Sequence, residues 1–185
     1  MAVRILMGSA IAIGCFSVNL IAQKKMGTTN ALTEKQRNLA AISVYTAKDD
    51  QVNLRPALND GLDAELTINE IKEVLMHLYA YAGFPRSLNG LSTFQSVLEN
   101  RKQRGITDEL GKEATPVPAG KTSQELGSEV LVQLTGTSEA MGVRKFALVV
   151  DTLLKAHLFG DLFGRNVLNF QSREIATISA LSSMQ

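Results

Sequence analysis

One stretch of the chain places three side chains that can take part in acid–base chemistry at helical spacing. Glu73, His77 and Tyr81 follow one another at intervals of four residues, so on a helix they share one face, and Glu70 lies one turn before Glu73. A carboxylate beside an imidazole raises the pKa of the imidazole and keeps it protonated near neutral pH. The spacing therefore predicts a proton-donating group centred on His77.

The same residues also fit a purely structural interpretation. Glutamate and histidine four residues apart form an ordinary ion pair on the surface of many helices. Tyr79 and Tyr81 are typical packing residues with a hydroxyl at the rim of a core. His157 lies in the apolar run Leu-Leu-Lys-Ala-His-Leu-Phe, which is typical of a core or interface histidine. Both interpretations are compatible with the sequence.

Composition favours one helical domain, or two small helical units packed side by side, over other classes of protein. The chain has 185 residues, a hydrophobic fraction of 45%, only 5% aromatic residues and no tryptophan, which suits packing through Leu, Ile, Val and Ala. A net charge of +1 gives no long-range field that would attract nucleic acid. Two histidines and one cysteine argue against a metal site built from nitrogen and sulfur ligands.

The first 23 residues differ from the rest of the chain. Met1–Arg4 gives a short positive start, and Ile5–Ala22 is nearly free of charge. This pattern predicts an export signal over residues 1–23, with a membrane anchor as the alternative. Cys15 follows a weak small-residue box, so it is either a lipid-anchoring residue or is removed with the signal. We expect a periplasmic or lipoprotein-anchored protein with no disulfide, because no second cysteine exists, and no stable membrane span after processing.

Helix start and stop signals divide the remainder of the chain. Capping boxes begin at Thr33, Thr67 and Thr122, and the second precedes a strongly periodic apolar run. The predicted helices cover 33–47, 54–62, 68–83, 85–104, 122–134 and a segment capped by Ser138 that runs to His157, followed by short turns through Leu158–Phe163. Two linkers are predicted, at 24–31 and at 106–121, where prolines and glycines cluster.

A partial internal repeat is present. Arg37–Ser43 matches Arg173–Ser179 in Arg, Ala, Ile and Ser at an offset of 136 residues. We therefore predict one helical domain at 32–105 and the start of a second, truncated repeat at 122–185, with a chance match as the alternative. An unpaired amphipathic helix at 171–184 would expose an apolar face and favour oligomerisation or poor solubility.

Three blocks of sequence resemble a known family. Ala57–Leu62, Leu66–Glu73 and Tyr79–Pro85 are similar, in order, spacing and residue type, to the signature of the carboxymuconolactone decarboxylase family. The resemblance covers residues 32–99. It implies an all-α fold, the alkylhydroperoxidase D-like helical bundle, assembled into trimers or hexamers with pockets between helices and subunits.

A second, shorter resemblance lies further along the chain. His157–Phe163, followed by Arg173–Ala176, is similar to the beginning of a second copy of the domain, as in members of the family that carry it twice. This agrees with the internal repeat.

One branch of the superfamily reduces peroxides with a Cys-x-x-Cys pair, a downstream histidine and an upstream glutamate. In this chain Thr46 and Asp49 stand where the cysteines would be, Asn53 where the histidine would be, and only Glu34 matches. A thiolate must attack the peroxide, and a second thiol must resolve the product. Thiol-dependent peroxide reduction, or peroxiredoxin activity, is therefore only a family-level label here.

The other branch decarboxylates a carboxylated lactone without a metal or an organic cofactor. That reaction needs a cation for the substrate carboxylate and an acid that protonates the product carbon. The resemblance thus gives candidate catalytic residues His77, Glu73 and Glu70 and candidate substrate-binding residues Tyr81, Arg86 and Arg55. The expected protein is an exported bacterial carboxy-lyase acting on a small molecule, or a non-catalytic oligomeric binding or scaffold module. The two differ in whether His77 and Glu73 face an enclosed pocket.

Overall fold

The computed structural model describes residues 31–184. The predicted export signal at 1–23, Cys15 and nearly all of the linker at 24–31 lie outside the described residues. Within 31–184 every regular element is a helix, so the predicted all-α fold is confirmed. From Glu34 onwards the chain packs as one compact unit. In the part of the chain that the structure describes, we find no helix with the length and apolar character needed to span a bilayer.

The first half of the unit consists of five helices. They are α1 (Glu34–Ala47), α2 (Gln51–Asp63), α3 (Ile68–His77), α4 (Tyr79–Ala82) and α5 (Phe84–Gln103). The second helix begins earlier than its sequence predicts, because Asp50 caps it by accepting from the backbone N–H of Asn53. Pro56 consequently lies inside the helix and not in its first turn.

The predicted helix at 68–83 is divided in two. Its start is confirmed, since Thr67 and Glu70 form a capping box at the N-terminus of α3. The helix ends at His77, where the N–H of Leu78 bonds to carbonyls of the preceding turn, and the single turn of α4 follows. Gly83, at φ +85°, ends α4 with a backbone conformation that suits glycine.

Apolar faces of the long helices meet in one core. The core includes Leu39, Ile42, Leu54, Leu58, Ile71, Val74, Leu75, Leu78, Phe94 and Val97, together with Ala176 and Ala180 from the last helix. Helices α1 to α5 therefore cannot bury their apolar faces without a contribution from the end of the chain.

Residues 105–121, which we call the crossover segment, are bound to the helical unit and do not form a loose linker. The N–H groups of Ile68 and Asn69 donate to the carbonyls of Glu109 and Leu110 at 2.9 and 3.0 Å. The Asn69 side chain donates to the carbonyls of Gly111 and Lys112 and to the carboxylate of Glu113. The crossover segment thus supplies partners for the free N–H groups at the start of α3.

The prediction for residues 138–157 is wrong. Helix α6 (Ser123–Thr135) forms as expected, but Gly136 ends it and residues 136–142 contain no helix. Two short helices, α7 (Val143–Phe146) and α8 (Leu148–Leu153), precede a π-helical segment, π1 (Leu154–Phe163). Ala147, at φ −123° and ψ +82°, interrupts the helix between α7 and α8.

Two glycines let α6 and π1 approach until their backbones touch. A Cβ atom at Gly127 would lie 1.7 Å from the carbonyl oxygen of Lys155, and one at Gly160 would lie 2.1 Å from that of Ser123. No larger side chain fits at either position without moving the backbone. This close contact holds the two segments together.

The last helix, α9 (Phe170–Ser183), packs along α1. It buries Arg173, Ala176, Thr177 and Ala180, so the expectation of an unpaired helix at 171–184 is wrong. Its apolar face is covered by the helices of the same chain.

Candidate functional site

The face of α3 that carries Glu73 and His77 is buried. Glu73 is 3% exposed and His77 is fully buried. The interpretation of these residues as a surface ion pair is therefore wrong. Their partners come from the second half of the chain, beyond residues 32–99 that carry the main resemblance to the family.

The Glu73 carboxylate is bound by two arginines. Arg165 donates from Nε to both carboxylate oxygens, at 2.9 and 3.0 Å, and Arg173 donates from Nη2 at 2.7 Å. Burial lowers the pKa of the Arg173 guanidinium, and its bond to Glu73 opposes that change. Since arginine remains charged in proteins, the three side chains together carry one excess positive charge. We call Glu73, Arg165 and Arg173 the Glu73 cluster.

His77 is neutral at physiological pH. Its Nε2 lies 2.9 Å from the hydroxyl of Thr177, and its Nδ1 faces Arg173 Nη1 at 3.5 Å. Burial, and then the charge of Arg173, lower the pKa of His77 to about 3. The predicted rise of this pKa is wrong, because Glu73 is neutralised by two guanidinium groups and one of them lies next to the imidazole. His77 is therefore not a proton donor near neutral pH.

Tyr81 packs against His77 with ring centroids 5.2 Å apart, and Phe163 packs against the other side of the imidazole at the same distance. Burial raises the pKa of the Tyr81 phenol, which stays protonated at neutral pH. The structure thus brings Glu73, His77 and Tyr81 together, as their spacing predicts. It encloses them, however, with side chains from π1 and α9.

The other three candidates lie apart from this group. Glu70 belongs to the capping box of α3 and pairs with Lys35 at 2.9 Å. Arg86 is exposed and its Nη1 lies 3.5 Å from the carbonyl of Ala82. Arg55 is exposed on α2. None of the three contacts the Glu73 cluster through a described hydrogen bond or ion pair.

The sequence does not single out Arg165 or Arg173 as site residues. Arg173 is visible as a member of the internal repeat with Arg37 and of the second block that resembles the family, and Arg165 is marked by no pattern. They reach Glu73 over 92 and 100 residues of chain. Spacing along one helix cannot reveal such pairs.

Arg165 is fixed at several points and still presents free donors. Its carbonyl accepts from Arg173, and the side chain of the next residue, Asn166, exchanges two hydrogen bonds with Thr115 of the crossover segment. Within residues 31–184 the Nη groups of Arg165 have no described hydrogen-bond partner, and its side chain is 37% exposed. It is a positioned cation that remains open to a ligand.

Arg165 lies in the walls of two pockets. The first, which we call the inner pocket, has a volume of about 310 Å³ and also contacts Glu73, Lys72 and Met76. The second has a volume of about 420 Å³ and includes Phe163. His77 lines neither pocket. An acid or base at His77 would therefore have no described access to a ligand in either pocket.

A larger pocket of about 670 Å³ lies elsewhere, beside the crossover segment. Its buried cation, Arg101, is already bound by Asp108 and Asp63 at 2.8 and 2.9 Å. The lining residues include four carboxylates against three cations. Of its other cations, Lys35 is paired with Glu70 and Lys112 is exposed, so neither is oriented by a buried carboxylate as Arg165 is.

The positions equivalent to the peroxide-reducing residues are engaged in structural contacts. The Thr46 hydroxyl donates to the carbonyl of Ile42, and Asp49 adopts φ +57° in the turn after α1. Asn53 donates to Asp50 at the start of α2. These side chains complete helix ends and carry no thiol.

The second histidine joins two elements at the surface. His157 is half exposed, its Nε2 bonds to the hydroxyl of Tyr79, and its Nδ1 lies 3.0 Å from Asp161. His157 is therefore not a core histidine, which was one of the two alternatives that its sequence context suggested. Tyr79 also stacks on Phe84, with centroids 4.3 Å apart, which supports its interpretation as a packing residue.

The described part of the chain is thus an all-helical unit with a buried arginine–glutamate cluster beside two pockets. A family model, that of the carboxymuconolactone decarboxylase family, matches residues 18–95, and this supports placing the chain in that superfamily of helical proteins. No curated protein matches the chain. The matched range includes Glu73, His77 and Tyr81 and ends before Arg165 and Arg173, so the predicted second repeat stays a prediction.

Proposed function

We propose that the protein is a carboxymuconolactone decarboxylase-like binding module that holds a small carboxylic acid at Arg165. The observation that carries the proposal is the composition of the Glu73 cluster, in which two guanidinium groups face one carboxylate. The excess positive charge is partly enclosed and lies at the wall of the inner pocket. A ligand carboxylate would supply the missing negative charge.

The geometry of Arg165 favours a carboxylate over other anions of similar size. Its Nε is occupied by Glu73, which leaves the two Nη groups as a planar pair of donors for two carboxylate oxygens. Because the guanidinium is already oriented by Glu73, little conformational entropy is lost when the ligand binds.

The proposal favours the non-catalytic alternative over decarboxylation of a carboxylated lactone. Decarboxylation requires a group that delivers a proton to the product carbon. His77, the predicted acid, has a pKa of about 3, is fully buried and lines neither pocket beside Arg165. The carboxylates that line the inner pocket, Glu73 and Glu113, accept hydrogen bonds from the two arginines and from Asn69 respectively.

We also propose that the module is a homo-oligomer and is exported. Support for the first comes from a run of exposed apolar side chains on α7, α8 and the preceding turn: Met141, Val143, Phe146, Leu148, Val149 and Leu153. Exposed apolar patches of this kind mark interaction surfaces. Export rests on the sequence of residues 1–23 alone.

The test is titration calorimetry of the full chain with a carboxylated γ-lactone and with its neutral amide. We expect the acid to bind and the amide not to bind. Arg165→Met should weaken binding of the acid at least tenfold, because a charge-assisted contact is lost. Arg86→Met and Arg55→Met are matched controls, and both should bind within twofold of the wild type.

Carbon dioxide release is followed in the same samples. The proposal expects none. Acid binding that survives Arg165→Met and disappears in Arg86→Met or Arg55→Met would contradict the proposal. Release of carbon dioxide by the wild type that is lost in His77→Gln would also contradict it. Turnover of that kind would restore the decarboxylase hypothesis.

A further inference from the structure

The second pocket beside Arg165 has an unusual combination of surfaces. Its apolar wall is formed by Leu126, Val130, Phe163, Leu168 and Phe170, contributed by α6, π1 and the start of α9. Phe163, Leu168 and Val130 are otherwise buried. We call this the apolar pocket. Its volume of about 420 Å³ is in the range of small-molecule sites.

All of the charge that lines the apolar pocket is positive. Among the residues that the structure describes, Arg165 and Lys112 are its only charged lining residues, and the remaining polar ones are the neutral Gln133, Asn166 and Asn169. The pocket of about 670 Å³ beside the crossover segment differs, since its cations are outnumbered by carboxylates. An apolar cavity with a cationic rim fits a ligand that has an apolar body and a negative head.

From this arrangement we infer that the natural ligand is an amphiphilic carboxylic acid, whose carboxylate binds Arg165 and whose hydrocarbon part fills the apolar pocket. The inference rests on the proposed function, since it uses the same carboxylate contact. It goes beyond that function in assigning a second site and in excluding a small polar lactone as the best ligand.

One residue, Arg165, fixes the position of both the carboxylate head and the hydrocarbon body of such a ligand. Arg165 lines both the inner pocket and the apolar pocket, so a carboxylate on its Nη groups directs the rest of the ligand toward Phe163 and Leu168. Lys112, from the crossover segment, adds a second cation to the rim. A hydrocarbon chain in this position leaves water, and each methylene that it buries strengthens binding.

The experiment is titration calorimetry of the full chain with straight-chain carboxylates from butanoate to decanoate, below their micelle concentrations. Burial of one methylene changes the binding constant about fourfold. We expect the Kd to fall by about that factor per carbon until the pocket is full. Alcohols of the same length, which lack the charged head, should bind at least tenfold more weakly.

Two tryptophan variants test where the hydrocarbon lies. Gln133 is an exposed residue of α6 that lines the apolar pocket, whereas Gln124 is exposed on the same helix and does not line it. Gln133→Trp should remove the dependence on chain length, so that octanoate binds no more tightly than butanoate. Gln124→Trp should behave as the wild type. Methyl resonances of Leu126 and Val130 in the wild type give a second readout, and they should shift with octanoate and not with butanoate.

The possible failures are distinguishable. Arg165-dependent binding of butanoate without any gain for longer acids, or unshifted methyl resonances of Leu126 and Val130, would overturn this inference and leave the proposed function standing. Absence of Arg165-dependent binding at every chain length would overturn both. Equal affinity for acids and alcohols would overturn the role of the carboxylate head.

Discussion

Arg173 is the residue on which the interior of the site depends. It is fully buried, donates from Nη2 to Glu73 and to the carbonyl of Arg165, and lies beside His77. A buried guanidinium is tolerated only when a carboxylate and further acceptors surround it. Burial is the main reason why His77 stays neutral, and the charge of Arg173 adds to it.

The low pKa of His77 predicts a loss of stability in mild acid. The pKa is about 3 in the folded chain and near 6.5 in the unfolded chain. Below pH 6.5 the unfolded state therefore binds a proton that the folded state does not, and stability falls as the pH decreases toward 3. We expect this group to lower the free energy of unfolding by about 2 kcal/mol between pH 7 and pH 5.

Urea unfolding of the wild type and of His77→Gln at both pH values measures this term. The glutamine variant keeps a neutral partner for Thr177 and should show a smaller decrease between pH 7 and pH 5. NMR should show that the His77 ring does not titrate between pH 5 and 8. Titration of the His77 ring in that range, or equal decreases for both proteins, would contradict the assignment.

The sequence predicts a contact in the site well when the two side chains lie close together along the chain, and poorly when they lie far apart. Glu73, His77 and Tyr81 were expected to lie together, and they do: Glu73 and His77 are one turn apart on α3, and Tyr81 of α4 packs against His77. The direction of the His77 pKa shift depends instead on burial beneath π1 and α9 and on the charge of Arg173, which is 96 residues away. No local pattern specifies that contact, so the expected sign was wrong.

At the level of elements, the Asn69 side chain is one anchor of the crossover segment, beside the Arg101–Asp108 ion pair and the hydrogen bonds between Thr115 and Asn166. Asn69→Ala removes the donor to Gly111, Lys112 and Glu113. We expect the free energy of unfolding to fall by about 1–3 kcal/mol, and the amides of residues 105–121 to exchange hydrogen faster, because this anchor is lost.

Asn100→Ala, at an exposed position of α5, is the control for this variant. It should change the free energy of unfolding by no more than about 0.5 kcal/mol. It should leave the amide hydrogen exchange of the crossover segment unchanged. Unchanged exchange of residues 105–121 in Asn69→Ala would show that other contacts hold the segment.

The contact between α6 and π1 predicts a second sensitive position. A methyl group at Gly127 would overlap the Lys155 carbonyl, so the backbones must separate in Gly127→Ala. Overpacking of this kind costs about 1–3 kcal/mol or more, although alanine favours a helix. Thermal unfolding should show a lower Tm for Gly127→Ala, while Ser128→Ala on the same helix should stay close to the wild type. A Tm for Gly127→Ala at or above that of the wild type would contradict the close packing.

Helix starts are better predicted than the helices between 136 and 163. The capping boxes at Thr67 and Thr122 both form, because each needs only residues three positions apart. The helix expected after Ser138 does not form. The arrangement of α7, α8 and π1 depends on the Gly127 and Gly160 contacts with distant backbone, which a periodic pattern does not encode.

For the whole molecule, the exposed apolar residues of α7 and α8 are the main surface that the chain leaves uncovered in its described part. Phe146 is 91% exposed, and Leu148 and Val149 lie close by in sequence. We expect Phe146→Glu combined with Val149→Lys to lower the mass measured by light scattering after gel filtration, because charges cannot be buried in an apolar interface.

Ile178→Glu, on the exposed side of α9, is the matched control and should leave the mass unchanged. A wild-type protein that is monomeric at every concentration would contradict the oligomer. So would a mass that responds to Ile178→Glu and not to the double variant.

The most direct test of the central claim is a crystal structure of the full chain grown with octanoate. The account predicts density for the carboxylate within hydrogen-bond distance of the Arg165 Nη groups, with the chain directed along Phe163 and Leu168. A carboxylate bound at Arg86 or Arg55 would contradict it. So would an unoccupied Arg165 in crystals grown at an octanoate concentration that saturates the protein in calorimetry.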